Sequence, residues 1–132
     1  MSGGEQRREA LIFRVRVPMS EYELREFVHS LLHQPPAGAF WLIPVDRAQL
    51  RGRYRVIDTF ESRGELVAFV AVERLEELTW RSRSGLSRFT WRRGDGRGVL
   101  EGELSERALA KLISVVGVER VDAKFVRSEE RR

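Results

Sequence analysis

Residues 53–73 read RYRVIDTFESRGELVAFVAVE. Two strand-like runs, RYRVIDTFE (53–61) and ELVAFVAVE (65–73), flank Ser62-Arg63-Gly64, and short Gly-containing connections of this kind join antiparallel strands into hairpins. The second run is apolar at odd and even positions alike. A strand with one wet face alternates, whereas one covered on both faces does not. Residues 65–73 are therefore expected to be the central strand of an antiparallel sheet.

Working outward, LIFRVRV (11–17) alternates, with Leu11, Phe13, Val15 and Val17 on one face and Arg14 and Arg16 on the other. Pro18 is expected to end that strand. Ser20 and Glu23 have the spacing of a capping box, which opens a helix to about His33 with an apolar stripe of Leu24, Phe27, Val28, Leu31 and Leu32. Pro35-Pro36 stops it. AFWLIPV (39–45) reads as a short strand, and DRAQLR (46–51) as a single turn capped by Asp46. RLEELTW (74–80) is ambiguous between a helical turn and an extended connection. SGLSRFTWRRGDGRG (84–98) and GVLEGEL (98–104) read as two strands around a Gly-rich turn. Ser105 begins a second helix, with Ala108, Leu109, Leu112, Ile113 and Val116 inward and Gly117 closing it. VERVDAKFV (118–126) is a last strand. The tally is five to seven strands and two helices. The expectation is a single α+β domain over residues 10–127 with a mostly antiparallel sheet of about five strands. Residues 1–9 and 128–132 are expected to be frayed ends.

With 132 residues, 42% apolar and 33% charged, the chain is sized for one core. No apolar run approaches the roughly 20 residues of a membrane span, and the start carries no apolar signal core. The expected location is the cytoplasm, with no membrane partner. The absence of cysteine excludes disulfides, thiolate metal sites and cysteine nucleophiles.

The net charge of +4 is unevenly spread. Residues 80–98 hold six arginines against Asp95 alone, and residues 46–55 hold four against Asp46. Two basic segments on an acidic remainder point to an anionic partner. Arg makes up 22 of the 24 basic residues. That bias extends to Arg7, Arg8, Arg131 and Arg132, so the clustering carries the information.

Within SRFTWRR, Phe89, Trp91 and Arg93 share one strand face while Arg88 and Arg92 share the other. Either Phe89 and Trp91 are core and the arginines form an exposed basic face, or the aromatics form an open platform beside Arg93. The same arginine spacing recurs at Arg14/Arg16, Arg53/Arg55 and Arg81/Arg83. Neighbouring strands would bring several arginines onto one face, unless carboxylates such as Asp58, Glu61 and Glu73 interleave. Trp80 precedes a serine- and arginine-rich stretch without core periodicity, and is the expected accessible stacking platform. The candidate nucleic-acid-binding residues are Arg53, Tyr54, Arg55, Trp80, Arg81, Arg83, Arg88, Phe89, Trp91, Arg92, Arg93 and Arg97. Single-strand sites combine a basic track with aromatic platforms.

Gly94-Asp95-Gly96-Arg97-Gly98 lies between strands and lacks the Gly-Lys-Ser/Thr ending and following helix of a nucleotide loop. Arg93-Gly94-Asp95 is a chance tripeptide. His29 and His33 sit four apart on the first helix, a spacing that can hold a metal, and are read as ordinary surface histidines. No catalytic arrangement, metal site or cofactor motif is legible.

An Arg-rich, cysteine-free α+β domain with a basic and aromatic surface is similar to the ThermoDBP-related single-stranded DNA-binding proteins of hyperthermophilic archaea. The resemblance covers architecture and composition over residues 10–127 and transfers no individual residue. It implies a thermophilic archaeal origin and a basic, apolar-floored cleft for single-stranded DNA. Zipper-bearing members carry a C-terminal leucine-zipper helix with no counterpart here, which leaves a homodimer open. The expected function is single-strand nucleic-acid binding, to DNA or RNA, without catalysis. Two rivals stand beside it: an interaction module for an acidic protein, and a small enzyme acting on an anionic nucleotide or RNA. The latter would place a carboxylate or histidine among the arginines.

Overall fold

In the computed structural model, which describes residues 8–35 and 38–131, the hairpin at 53–73 is the middle of a longer one. Strand β3 (Ala48–Ser62) pairs antiparallel with β4 (Glu65–Arg81), and Ser62 sits opposite Glu65. The turn is Arg63-Gly64, both with positive φ (52° and 80°), the backbone that twist-matched two-residue hairpins require.

Among the described residues, all seven strands join one antiparallel sheet. The other five are β1 (Arg8–Met19), β2 (Phe40–Pro44), β5 (Ser87–Arg92), β6 (Gly98–Ser105) and β7 (Asp122–Arg131). β4 is central, as its unbroken apolar run requires. Its one edge carries β3, and its other edge carries β2 along residues 67–71 and β5 along 77–81. The sheet continues through β6 and β1 to β7. Helices α1 (Glu21–Leu31) and α2 (Glu106–Val116) cover one face. Leu24, Phe27 and Val28 of α1 and Leu109, Leu112 and Val116 of α2 pack with Val15, Val17, Leu78, Phe89 and Leu100 of the sheet.

Local chemistry sets the element ends. The Ser20 hydroxyl accepts from the Glu23 N–H at 3.1 Å and the Glu23 carboxylate accepts from the Ser20 N–H at 3.0 Å, completing the capping box. Arg120 donates twice to the same carboxylate and once to the Pro18 carbonyl. This ties the 3-10 turn Val118–Arg120 to the start of α1. Gly117, at φ 90°, closes α2.

Several boundaries differ from expectation. Pro18 lies inside β1, beyond the last β1–β7 pair, where one edge of the strand is open and a missing N–H is tolerated. DRAQLR forms no helical turn: the chain reverses at 45–47 and β3 begins at Ala48, opposite Trp80. RLEELTW is strand throughout. The backbone of 128–131, expected to fray, extends β7 against β1. Residues 1–7 lie outside the described residues.

His29 is a correction. It is 1% exposed, not a surface histidine, because α1 lies against β2, whose Leu42 N–H donates to His29 Nε2 at 3.0 Å. An accepting Nε2 requires a neutral ring. Burial, and then Arg25, push its pKa down to about 4. A histidine that titrates near 6.5 when unfolded and near 4 when folded makes the unfolded state bind more protons between those values. Stability therefore falls as pH drops from about 6.5 to 4, by up to about 3 kcal/mol, and is flat with respect to this group outside that window. Urea unfolding across this range, in the parent and in His29→Gln, checks it: the variant should lose most of the slope between pH 5 and 6.5.

Candidate functional site

The outer sheet face, away from the helices, receives the arginines of the alternating segments. Strand register puts Arg88 beside Glu101, Glu101 beside Arg16, and Arg16 beside Asp122. Glu103 lies beside Arg14, and Glu77 beside both Arg51 and Arg92. Ion pairs follow the register: Arg88–Glu101 at 3.6 Å, Arg16–Glu101 at 3.7 Å, Arg14–Glu103 at 3.3 Å, Arg92–Glu77 at 3.0 Å and Arg51–Glu77 at 3.5 Å. The arginines do converge, and carboxylates interleave them. Glu77, Glu101 and Glu103 do this, rather than Asp58 and Glu61; only Glu73, 4.0 Å from Arg53, comes from the expected set. Each exposed pair contributes little to stability, but together they leave these five arginines engaged by carboxylates.

The aromatics point the other way. Phe89 (1% exposed) and Trp91 (6%) are core, which decides between the two readings of that strand. Gly98 accommodates Phe89, whose ring lies 2.6 Å from where a Cβ would be. Trp91 donates its indole N–H to the Gly96 carbonyl at 3.3 Å. Trp80 is not accessible: it is 2% exposed and packs edge-to-face on Phe27, centroids 5.9 Å apart. The apparent loss of periodicity before it is a strand whose Glu77 and Thr79 face outward while Leu78 and Trp80 face the core, opposite Trp91 and Phe89. None of these three rings can stack a base.

The other named residues are spread apart. Arg53, Tyr54 (46% exposed) and Arg55 lie on the outer stretch of β3. Arg93 donates to the Leu75 carbonyl and the Glu76 carboxylate. Arg97 is exposed on the β5–β6 tip and Arg81 donates to the Asp46 carbonyl.

A cleft of about 480 Å³ opens where the ends of α1, α2, the β3–β4 turn and the β4–β5 loop meet. Leu31, Leu86, Leu104 and Ala108 line its apolar surface, with Trp80 beneath. Around it stand Arg47, Arg63, Arg83, Arg107 and Lys111. Glu65 is occupied by Arg47, whose two guanidinium nitrogens donate at 2.8 and 2.9 Å. Glu103 and Glu129 are occupied by Arg127. Among the described residues, Arg63, Arg83, Arg107 and Lys111 have no carboxylate within ion-pair distance. Arg83 instead donates to the Arg63 carbonyl at 2.9 Å, and Lys111 to the Ser30 carbonyl at 3.1 Å. Arg107 and Lys111 are four apart on α2 and so share its exposed side.

The electrostatics agree with an electropositive cleft. His33, at its rim, has its pKa lowered by desolvation and then by Arg63, Lys111 and Arg107. Hydrogen bonding from Arg47 lowers Glu65, and hydrogen bonding from Arg127 lowers Glu103. Both carboxylates are therefore held ionised and make poor proton donors. Of the residues named from sequence, only Arg83 and the floor residue Trp80 belong to this cleft. Arg47 falls in a basic segment recognised from sequence; Arg63, Arg107, Lys111 and His33 come from distant segments with no local signal. Among the described residues no cluster of histidine and carboxylate is placed to hold a metal, and no helix is long and apolar enough to cross a membrane.

The chain matches no family model, no curated protein and no solved structure.

Proposed function

We propose that this protein binds single-stranded nucleic acid, holding phosphates in the cleft between the helix ends and the β4–β5 loop. The observation that carries this reading is the convergence there of Arg63, Arg83, Arg107 and Lys111, four cations without carboxylate partners among the described residues, on an apolar floor. A guanidinium offers phosphate a planar fork of donors, and unpaired cations give up no existing ion pair on binding. Bases rest on Leu31, Leu86 and Ala108 instead of stacking on tryptophan. The reading is of binding without catalysis: arginines pin Glu65 and Glu103 as carboxylates, poor proton donors, and His33 at the rim is the group an enzyme would have to use instead. The lack of cysteine suits the reducing cytoplasm. A basic, apolar-floored cleft is also what the resemblance to ThermoDBP-related proteins implies.

Fluorescence anisotropy with single- and double-stranded oligonucleotides at two salt concentrations tests the proposal. Four phosphate contacts at about −0.7 each should give log K against log salt a slope near −3 for single strands. Binding that ignores salt, or none at low salt, would reject it. Polyglutamate that displaces the strand and binds more tightly would favour an acidic protein partner.

His33 provides a readout inside the cleft. Its lowered pKa should rise towards the ordinary histidine value when a strand neutralises the neighbouring cations, and also in Arg63→Gln/Arg107→Gln without ligand. Histidine NMR titration follows both. A His33 value unmoved by saturating oligonucleotide would place the ligand elsewhere.

A further inference from the structure

Among the described residues strand β3 has a partner on one edge only, and every residue from 51 to 59 is exposed. Five of the exposed large apolar side chains gather around it: Val45, Tyr54, Val56, Ile57 and Leu66. An open strand with such side chains is a template for another strand. Its charges are ordered along the chain, with Arg51, Arg53 and Arg55 in the first half and Asp58 and Glu61 in the second. A strand basic at one end and acidic at the other complements an antiparallel copy of itself.

The register sharpens this. Arg55 lies opposite Ala71 and Asp58 opposite Phe69 on β4, with a bulge between Val56 and Asp58. Positions two apart on β4 share a face, so the bulge brings Arg55 and Asp58 to the same face although they are three apart in β3. Neither makes an ion pair within the chain among the described residues; Asp58 Oδ1 accepts only the neighbouring Thr59 N–H. We infer that β3 pairs edge to edge with β3 of a second copy of this chain, about a two-fold axis between Val56 and Ile57. That register sets Arg55 of each copy opposite Asp58 of the other, twice. Tyr54 faces Thr59 of the second copy and Val56 faces its Ile57, so the three exposed apolar side chains of β3 itself meet the second copy. The two six-strand-wide halves become one continuous sheet, an isologous arrangement in which one patch contacts itself.

None of the residues lining the cleft lies on β3, so this inference stands or falls without nucleic acid. Sedimentation velocity of the full chain, from micromolar to millimolar, should show a concentration-dependent dimer. Arg55→Asp and Asp58→Arg each set like charges opposite and should weaken dimerisation at least about tenfold. The double reversal restores opposite charges at both contacts and should restore the dimer. Circular dichroism confirms folding of these exposed-site variants, and the double reversal carries the test if one single variant is unstable. A monomer at every concentration would overturn the inference and assign the arginines and the bulge to keeping this edge unpaired. A dimer indifferent to both single reversals would overturn it as well.

Discussion

Trp80→Ala should destabilise the protein by about 3–5 kcal/mol, the range for removing a large buried aromatic side chain. The ring is buried beneath the cleft: Phe27 of α1 meets it edge-to-face, Ala48 and Phe89 flank it on the neighbouring strands, and the Arg47 guanidinium lies 5.8 Å from its centroid. Its indole N–H has no hydrogen-bond partner among the described residues. Trp80→Phe therefore discards an unsatisfied donor while keeping most of the packing, and should lose far less stability. Urea denaturation of the three proteins gives the comparison. A loss below about 1 kcal/mol for the alanine variant would mean that the ring is not packed as described, and would return it to the surface as a stacking platform.

The second large effect is on binding. Replacing Arg63, Arg83 and Arg107 by Gln should weaken single-strand affinity at least about a hundredfold at low salt. A charged hydrogen bond contributes about 1.5–3 kcal/mol, and 1.4 kcal/mol is tenfold. The salt slope should flatten from near −3 to near −1, because about one phosphate contact remains. Stability should change by less than about 0.5 kcal/mol per site, since Arg63, Arg83 and Arg107 are exposed and make no ion pair among the described residues. Arg88→Gln/Arg92→Gln is the contrasting pair. These arginines are already engaged by Glu101 and Glu77, so affinity should move only a few-fold. The opposite result, a silent cleft variant and a crippled sheet-face variant, would move the strand to the outer face.

The contrast between those two variants follows from how far each feature reaches along the chain. Alternation and capping are relations between residues two to four apart. So the 53–73 hairpin, the Ser20–Glu23 box, the inward stripe of α2 and the shared face of Phe89 and Trp91 were all legible in the sequence, which left open whether that face is core or platform. The same arithmetic was available for Leu78 and Trp80. It was obscured by Glu76-Glu77, which interrupt the apolar pattern where β4 passes from pairing with β2 to pairing with β5.

Net charge at a surface is a relation between strands. One of the two readings of the Phe89–Trp91 strand has Arg88 and Arg92 facing outward, as they do. Alternation, however, does not say that Glu101 will lie beside Arg88 on one side and Arg16 on the other, residues 13 and 85 positions away in sequence. Register decides it, and register is set by packing across the whole sheet. The cleft is more distant still from local pattern. Arg63 comes from a turn, Arg83 from a loop, and Arg107 and Lys111 from a helix. Each alone is an unremarkable solvated cation. His29 likewise carries no local mark of burial, because only the seating of α1 against the open edge of β2 gives its ring an N–H to accept. By itself the sequence determined the elements and the faces of most of their side chains, because those depend on backbone geometry over one or two turns. Only the tertiary structure decided which charges are neutralised and which are left to meet a ligand, because an electrostatic environment is assembled from whatever the fold brings within a few ångströms.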